Sequence, residues 1–178
     1  MNVKVFNTKI DGVLIFQTQE FSDHRGYLIE SYNESEYKNF LPSVNFIQDN
    51  ESKSSYGVLR GLHYQDEPYP QAKLVRVVKG EIQDVAVDLR KDSPTYLQYV
   101  SVNLSHENKK QLYIPRGFGH GFLVLSQEAI VCYKIDNIFN LDCYKGLKYN
   151  DPKINIDWQL SDDKIILSDK DRELRYLP

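Results

Sequence analysis

Proton transfer at neutral pH draws on few side-chain types, and this sequence sets several of them along short strand-like runs. Val58-Leu59-Arg60-Gly61-Leu62-His63-Tyr64-Gln65 carries Arg60 and His63, and Lys73 opens the next run. Asp84 lies inside another, His120 follows Pro115-Arg116-Gly117-Phe118-Gly119, and Tyr133 sits within 129–135. Buried ionisable groups are costly unless paired or used, so several on one sheet's inner face mark a site. A His is a suitable base near neutral pH, and positioned proton transfer typically contributes about 10²–10⁴-fold. A Lys ammonium aimed at a developing oxyanion can supply roughly 3–4 kcal/mol. A phenol can return a proton without itself being charged. The predicted chemistry is acid–base catalysis.

Each residue also has a plainer reading. A lone His on a strand is more often a hydrogen-bonded structural residue, and Tyr133 is one of thirteen Tyr in an aromatic-rich chain. Lys73 fits a solvated strand start and Asp84 an ordinary partner for an Arg, and the charged run at 169–175 reads as an exposed tail. There is also a geometric demand. In a regular strand Arg60 and His63 point to opposite faces, whereas a shared site needs both on one. Gly61 between them predicts a bulge; a straight strand over 59–65 would count against the joint assignment.

The elements that must position these groups are short. Alternating or apolar runs fall at 13–17, 27–32, 44–49, 58–65, 73–78, 81–89, 98–104, 111–114, 121–125 and 129–135, mostly bounded by Gly, Pro, Asn or Asp. In 81–89, Val85, Val87 and Leu89 share one parity, while Ile82, Asp84, Ala86 and Asp88 share the other. Lys79-Gly80 reads as a hairpin turn joining two of these strands. A short helix is expected over 33–40, capped by Asn33 or Ser35, and a further turn at 161–163. Many strands with few helices mean an all-β sandwich or barrel with a ligand in its mouth. With no linker or repeat, residues 1–178 read as a single domain.

Composition excludes other classes. The chain is 41% apolar and 26% charged, which suits a soluble globular protein. A net charge of −3 without a basic run gives no footing for nucleic acid, and no window reaches membrane-span length. Cys132 and Cys143 are too few for a disulfide framework, so a reducing cytoplasm is expected. Pro115-x-Gly117-x-x-His120 resembles the second half-motif of the cupin superfamily. The place of the usual His-x-His ligands reads His63-Tyr64-Gln65, so no metal is expected.

A more specific resemblance spans nearly the whole chain. It is carried by Asp23-x-Arg25-Gly26, Gln48-Asp49-Asn50, Ser52-Lys53-Ser54 and Leu59-Arg60-Gly61-Leu62-His63-Tyr64-Gln65. Further on come Lys73-Leu74-Val75, Asp84-Val85-x-Val87-Asp88-Leu89-Arg90 and Gly117-Phe118-Gly119-His120-Gly121-Phe122, then Tyr133-Lys134 and Leu167-Ser168-Asp169-Lys170-Asp171. In this order the pieces resemble the dTDP-4-dehydrorhamnose 3,5-epimerase family. The resemblance implies a cupin-type double-stranded β-helix, or jelly-roll barrel, with a few short helices. It also implies cofactor-free 3,5-epimerisation of a nucleotide-linked 4-keto-6-deoxy sugar for surface polysaccharide synthesis. By the same resemblance His63 is the base, paired with Asp171, Tyr133 is the acid on the opposite sugar face, and Lys73 sits at the C4 oxygen. Phe21, Arg25, Glu30, Gln48, Asp49, Asn50, Arg60, His120, Phe139 and Lys170 are implied to hold the substrate. Family members are homodimers whose N-terminal segments cross to the partner, so Phe21 and Arg25 are expected to complete the neighbour's site.

The match decays over 138–145. The family usually has two aromatics, then Ser-Pro and a Glu; here Phe139 can still stack on a base, but Tyr144 stands where the Glu is expected. Relatives acting on GDP-linked 4-keto heptoses for capsules, and epimerases of one centre only, therefore stay open. So do a 3,4-ketoisomerase on the same barrel, a non-catalytic sugar-nucleotide binding module and a metal-dependent dioxygenase. The Arg-Gly-Leu-His-Tyr-Gln stretch with Tyr133 argues against the isomerase.

Overall fold

The computed structural model describes residues 3–177, so positions 1, 2 and 178 of the expected domain lie outside the described residues. Within them the runs become strands β1 Val3–Asn7, β2 Leu14–Thr18, β3 Glu20–Asp23, β4 Gly26–Ile29, β5 Gln48–Ser55, β6 Leu59–Gln65 and β7 Lys73–Lys79. They continue as β8 Glu81–Asp88, β9 Tyr99–Ser105, β10 Lys110–Ile114, β11 Phe118–Val124, β12 Glu128–Ile135 and β13 Tyr144–Gly146. Two helices of a single turn, α1 Glu34–Tyr37 and α2 Asp169–Arg172, complete the set with a 3-10 turn at Asp162–Lys164.

One sheet has the order β1-β2-β10-β7-β12-β5 and the other β13-β6-β11-β8-β9, with β3 and β4 forming a separate hairpin. The two sheets close over an apolar interior. Val75, Val77, Leu112 and Val131 come from the first, and Ile82, Ala86, Phe118 and Phe122 from the second. Burying each of these side chains other than Ala86 is worth about 1.5–3 kcal/mol, so this face-to-face packing holds the sheets together. The result is the jelly-roll barrel expected of the all-β class.

Strand β8 shows how the pattern resolves. Val85 and Val87 pack outward with Leu62, Leu147, Ile154 and Ile156, while Ile82 and Ala86 face the barrel interior. Asp84 has the interior parity and is fully buried. The acid-bearing face thus points inward.

Several boundaries differ from expectation. Lys79-Gly80 does not close a hairpin: β7 pairs with β10 and β12, β8 pairs with β11 and β9, and the turn carries the chain from one sheet to the other. The run at 27–32 shortens to β4 and pairs with β3, which was not expected. The strand at 44–49 shifts to β5, and β1 and β13 were likewise not expected. The helix at 33–40 shortens to α1; Asn33 Oδ1 caps it, accepting from the Ser35 and Glu36 amides at 3.1 and 3.4 Å. The tail at 169–175, readable as exposed surface, instead opens with α2, which buries Asp171.

The expected distortion in β6 is present. His63 pairs with His120 and Arg60 with Phe122, so three steps along β6 match two along β11. The extra residue puts Arg60 and His63 on the same cavity. Gly61 sits at φ +116°, and a Cβ placed there would lie 2.5 Å from His120 O and 2.6 Å from Gly121 Cα. Neither backbone atom can yield. Gly61→Ala should therefore lose at least ~2 kcal/mol of stability in chemical denaturation, from strain and overlap together; wild-type stability would contradict the packing described.

Candidate active site

Two adjoining cavities, of about 210 and 320 Å³, share His63, Lys73, Tyr133 and Tyr144 as walls. His63 and Arg60 come from β6, His120 from β11 and Tyr144 from β13, all on the five-stranded sheet. Lys73 on β7, Tyr133 on β12, and Gln48, Asn50 and Ser52 on β5 come from the six-stranded sheet. The site thus lies between the sheets, and His63 and Tyr133 meet it from opposite walls.

His63 Nε2 lies 2.6 Å from Asp171 Oδ1. An ionised carboxylate only accepts, so Nε2–H donates and Nδ1 is left with a lone pair. Asp171 is held by the turn that presents it: the Ser168 hydroxyl accepts from its amide at 3.1 Å, capping α2. Burial pushes the Asp171 carboxyl up, but the hydrogen bond and charge of His63 outweigh this and hold it below the usual carboxylate range. It stays ionised beside its His. Burial raises the Tyr133 phenol against the opposing pull of Arg60, keeping it protonated and able to donate. Burial brings the Lys73 ammonium down to about 8, although Asp84 acts to raise it. Lys73 also lies 3.4 Å from His120 Nδ1.

Other expected residues fall as follows. Gln48 and Asn50 line the smaller cavity and share a 2.8 Å hydrogen bond; Phe139 lines it too, and Lys170 lines the larger. Asp49 lies apart from both: strand alternation turns it to the outer face of β5, where it pairs with Lys134 Nζ at 2.8 Å and lines a different cavity. Phe21, Arg25 and Glu30 are not brought to this chain's cavity either. Phe21 and Arg25 stand on the exposed β3–β4 hairpin, where Arg25 pairs with Asp23, and Glu30 accepts from Asn33.

Tyr144 was not among the expected site residues, yet it walls both cavities. Its ring lies 5.3 Å from that of His63 and 5.6 Å from that of Phe139. Burial, with Asp171 and Tyr133 nearby, pushes its phenol up to about 12. The signal that could have found it is its departure from the family pattern. Gln65 was missed as a support: its amide donates to Tyr69 O and Ile138 O and accepts from Asn140 N, tying the Phe139 loop to the His63 strand. Among the described residues no three His, Cys, Asp or Glu side chains gather in a way that could hold a metal ion. No helix among them is long and apolar enough to cross a membrane.

The arrangement can remove a proton on one side of a bound ligand, return one on the other, and neutralise an oxyanion between. Comparisons with known proteins agree with this chemistry. The family model described as dTDP-4-dehydrorhamnose 3,5-epimerase matches residues 7–178. A dTDP-4-dehydrorhamnose 3,5-epimerase from Shigella flexneri is 52% identical, covering 95% of this chain and 93% of that protein. One from Methanothermobacter thermautotrophicus is 48% identical, covering 98% and 94%. The solved dTDP-6-deoxy-D-glucose-3,5-epimerase from Legionella pneumophila Philadelphia 1, in complex with dTDP-4-keto-L-rhamnose, superposes with a TM-score of 0.94 at 43% identity, covering 98% of this chain and 92% of that one. With barrel, paired His and opposed Tyr all in place, the chain belongs to the dTDP-4-dehydrorhamnose 3,5-epimerase family.

Proposed function

We propose that the protein epimerises a dTDP-linked 4-keto-6-deoxy sugar at C3 and C5, without a cofactor, in the synthesis of a surface-polysaccharide sugar. The observation that supports this most directly is the opposition of His63 and Tyr133 across one cavity from two different sheets. A sugar ring between them offers one face to a base and the other to an acid. His63 Nδ1 takes the hydrogen beside the ketone, and Asp171 steadies the imidazolium without itself being protonated. The Lys73 ammonium meets the C4 oxygen as it becomes an enolate; the loss of one such donor costs roughly 3–4 kcal/mol. Tyr133 then delivers its phenol proton to the opposite face.

Arg60, Lys170, Gln48 and Asn50 hold the sugar and diphosphate in this reading, the His120 ring forms part of the wall against the sugar, and Phe139 stacks on the base. Each subunit works as one domain over 1–178, in a homodimer whose β3–β4 hairpin crosses to the partner. Exposure of Phe21 (47%), Tyr27 (57%) and Leu28 (71%) on that hairpin supports such a crossing, since apolar side chains gathered on one element favour a covering surface. Cys132 and Cys143, both unpaired, suit a reducing cytoplasm.

Three outcomes follow from this reading. His63→Ala should abolish deuterium uptake at the sugar carbons in D₂O, while Tyr133→Phe should spare exchange at C3 more than inversion at C5; full activity in both variants would sink the mechanism. Raising the pH strips the Lys73 ammonium of its proton, so kcat should fall above a midpoint near 8, read from a pH–rate profile. A plateau extending past pH 10 would remove Lys73 from the enolate role. Mixing inactive Arg25→Ala with inactive His63→Ala should restore part of the activity as subunits exchange, because one composite site then has both residues intact; no recovery would count against the crossed hairpin.

A further inference from the structure

The proposed chemistry uses the tip of Lys73 and leaves unexplained what stands behind it. Lys73 Nζ lies 3.4 Å from His120 Nδ1, and His120 Nε2 lies 2.7 Å from Asp84 Oδ1. Asp84 is fully buried and His120 nearly so, in an interior otherwise built from apolar side chains such as Ile82, Ala86 and Phe122. The second oxygen of Asp84, Oδ2, is buried without a hydrogen-bond partner. An interior carboxylate with an unpaired oxygen is a standing cost to the fold unless a charge nearby offsets it.

We infer that Asp84 is a positioning residue for the enolate-stabilising ammonium, holding Lys73 charged and aimed into the cavity through His120. This deepens the epimerase reading and rests on it. The hydrogen bonds allow one self-consistent arrangement. A carboxylate accepts only, so His120 Nε2 carries a proton and donates to Asp84; Nδ1 then offers its lone pair to Lys73. That requires a neutral imidazole, and burial lowers the His120 pKa, with Asp84 opposing and Lys73 reinforcing the fall. The trio then sums to one negative and one positive charge, which the interior tolerates far better than a lone ammonium. The other titratable groups facing Lys73 across the shared cavities are His63 and Tyr64 on β6, Tyr133 on β12 and Tyr144 on β13, with Arg60 on β6 and Lys170 and Asp171 on α2. Of the groups around Lys73, Asp84 is the one whose charge raises its pKa.

Asp84→Asn keeps the shape and removes the charge. Asp84 is the charge that raises the Lys73 pKa, and removing a nearby opposite charge moves a pKa by about one unit or more. In the variant the Lys73 titration, followed by ¹³C-lysine NMR and assigned with Lys73→Met, should shift to lower pH by that amount. The alkaline limb of kcat should follow, giving about tenfold loss of kcat above the wild-type midpoint and little change in KM. A purely structural Asp84 would lower the melting temperature and leave both midpoints unmoved, which would overturn the inference. Should the variant not fold, ¹⁵N-histidine NMR on the wild-type protein decides: His120 protonated at Nε2 and bare at Nδ1 upholds the chain, and the opposite tautomer overturns it. Both NMR readings need no turnover. Wild-type protein that exchanges no sugar protons would therefore condemn the epimerase reading separately.

Discussion

Side chains alternate along a strand, so residues three apart face opposite ways, and this site needs Arg60 and His63 on one wall. The extra residue in β6 meets that need, and Gly61 makes it possible because β11 passes too close for any side chain there. Much else follows from that one irregularity. With His63 turned inward its Nε2 reaches Asp171, and its ring packs beside Tyr144. Its register partner on β11 is His120, which in turn stands next to Lys73. His63, Lys73 and their hydrogen-bond partners are brought together chiefly by strand pairing rather than by loops alone.

A second constraint is the handling of charge inside that barrel. In the proposed chemistry Lys73 works as an electrophile only while protonated, yet the enclosure that strengthens its field also weakens its hold on the proton. In the arrangement we infer, Asp84 and His120 resolve the conflict from behind, and Asp171 plays a comparable part for His63. Both acids are buried, and each answers a basic group at the cavity wall. The phenols need no such support: burial raises both Tyr133 and Tyr144, and Asp171 and Tyr133 raise Tyr144 further.

The fold class and most interior strands were legible because β7, β8, β11 and β12 each carry an apolar face, which on β8 is the outward one of Val85 and Val87. Strand β5 was not. Its inward residues Gln48, Asn50, Ser52 and Ser54 are polar because three of them line the site, and its outward residues Asp49, Glu51 and Lys53 are charged. No apolar alternation survives to mark it. The same parity explains why Asp49 does not join Gln48 and Asn50. Lys79-Gly80 misled because a Gly turn between two strands looks alike whether the strands pair or divide between sheets. Asp171 was readable only through family resemblance, since 108 residues separate it from His63 and its surroundings are those of a charged surface. Tyr144 escaped because it departs from the family's usual residue.

The central claim is that one cavity removes and returns protons at two sugar carbons. The most direct test is to incubate wild-type protein in D₂O with dTDP-linked 4-keto-6-deoxyglucose and, separately, with a GDP-linked 4-keto heptose, following each carbon by NMR. The account predicts deuterium at both C3 and C5 of the dTDP sugar, with inversion at both centres. Deuterium at neither carbon, or exchange with the GDP-linked sugar alone, would contradict it.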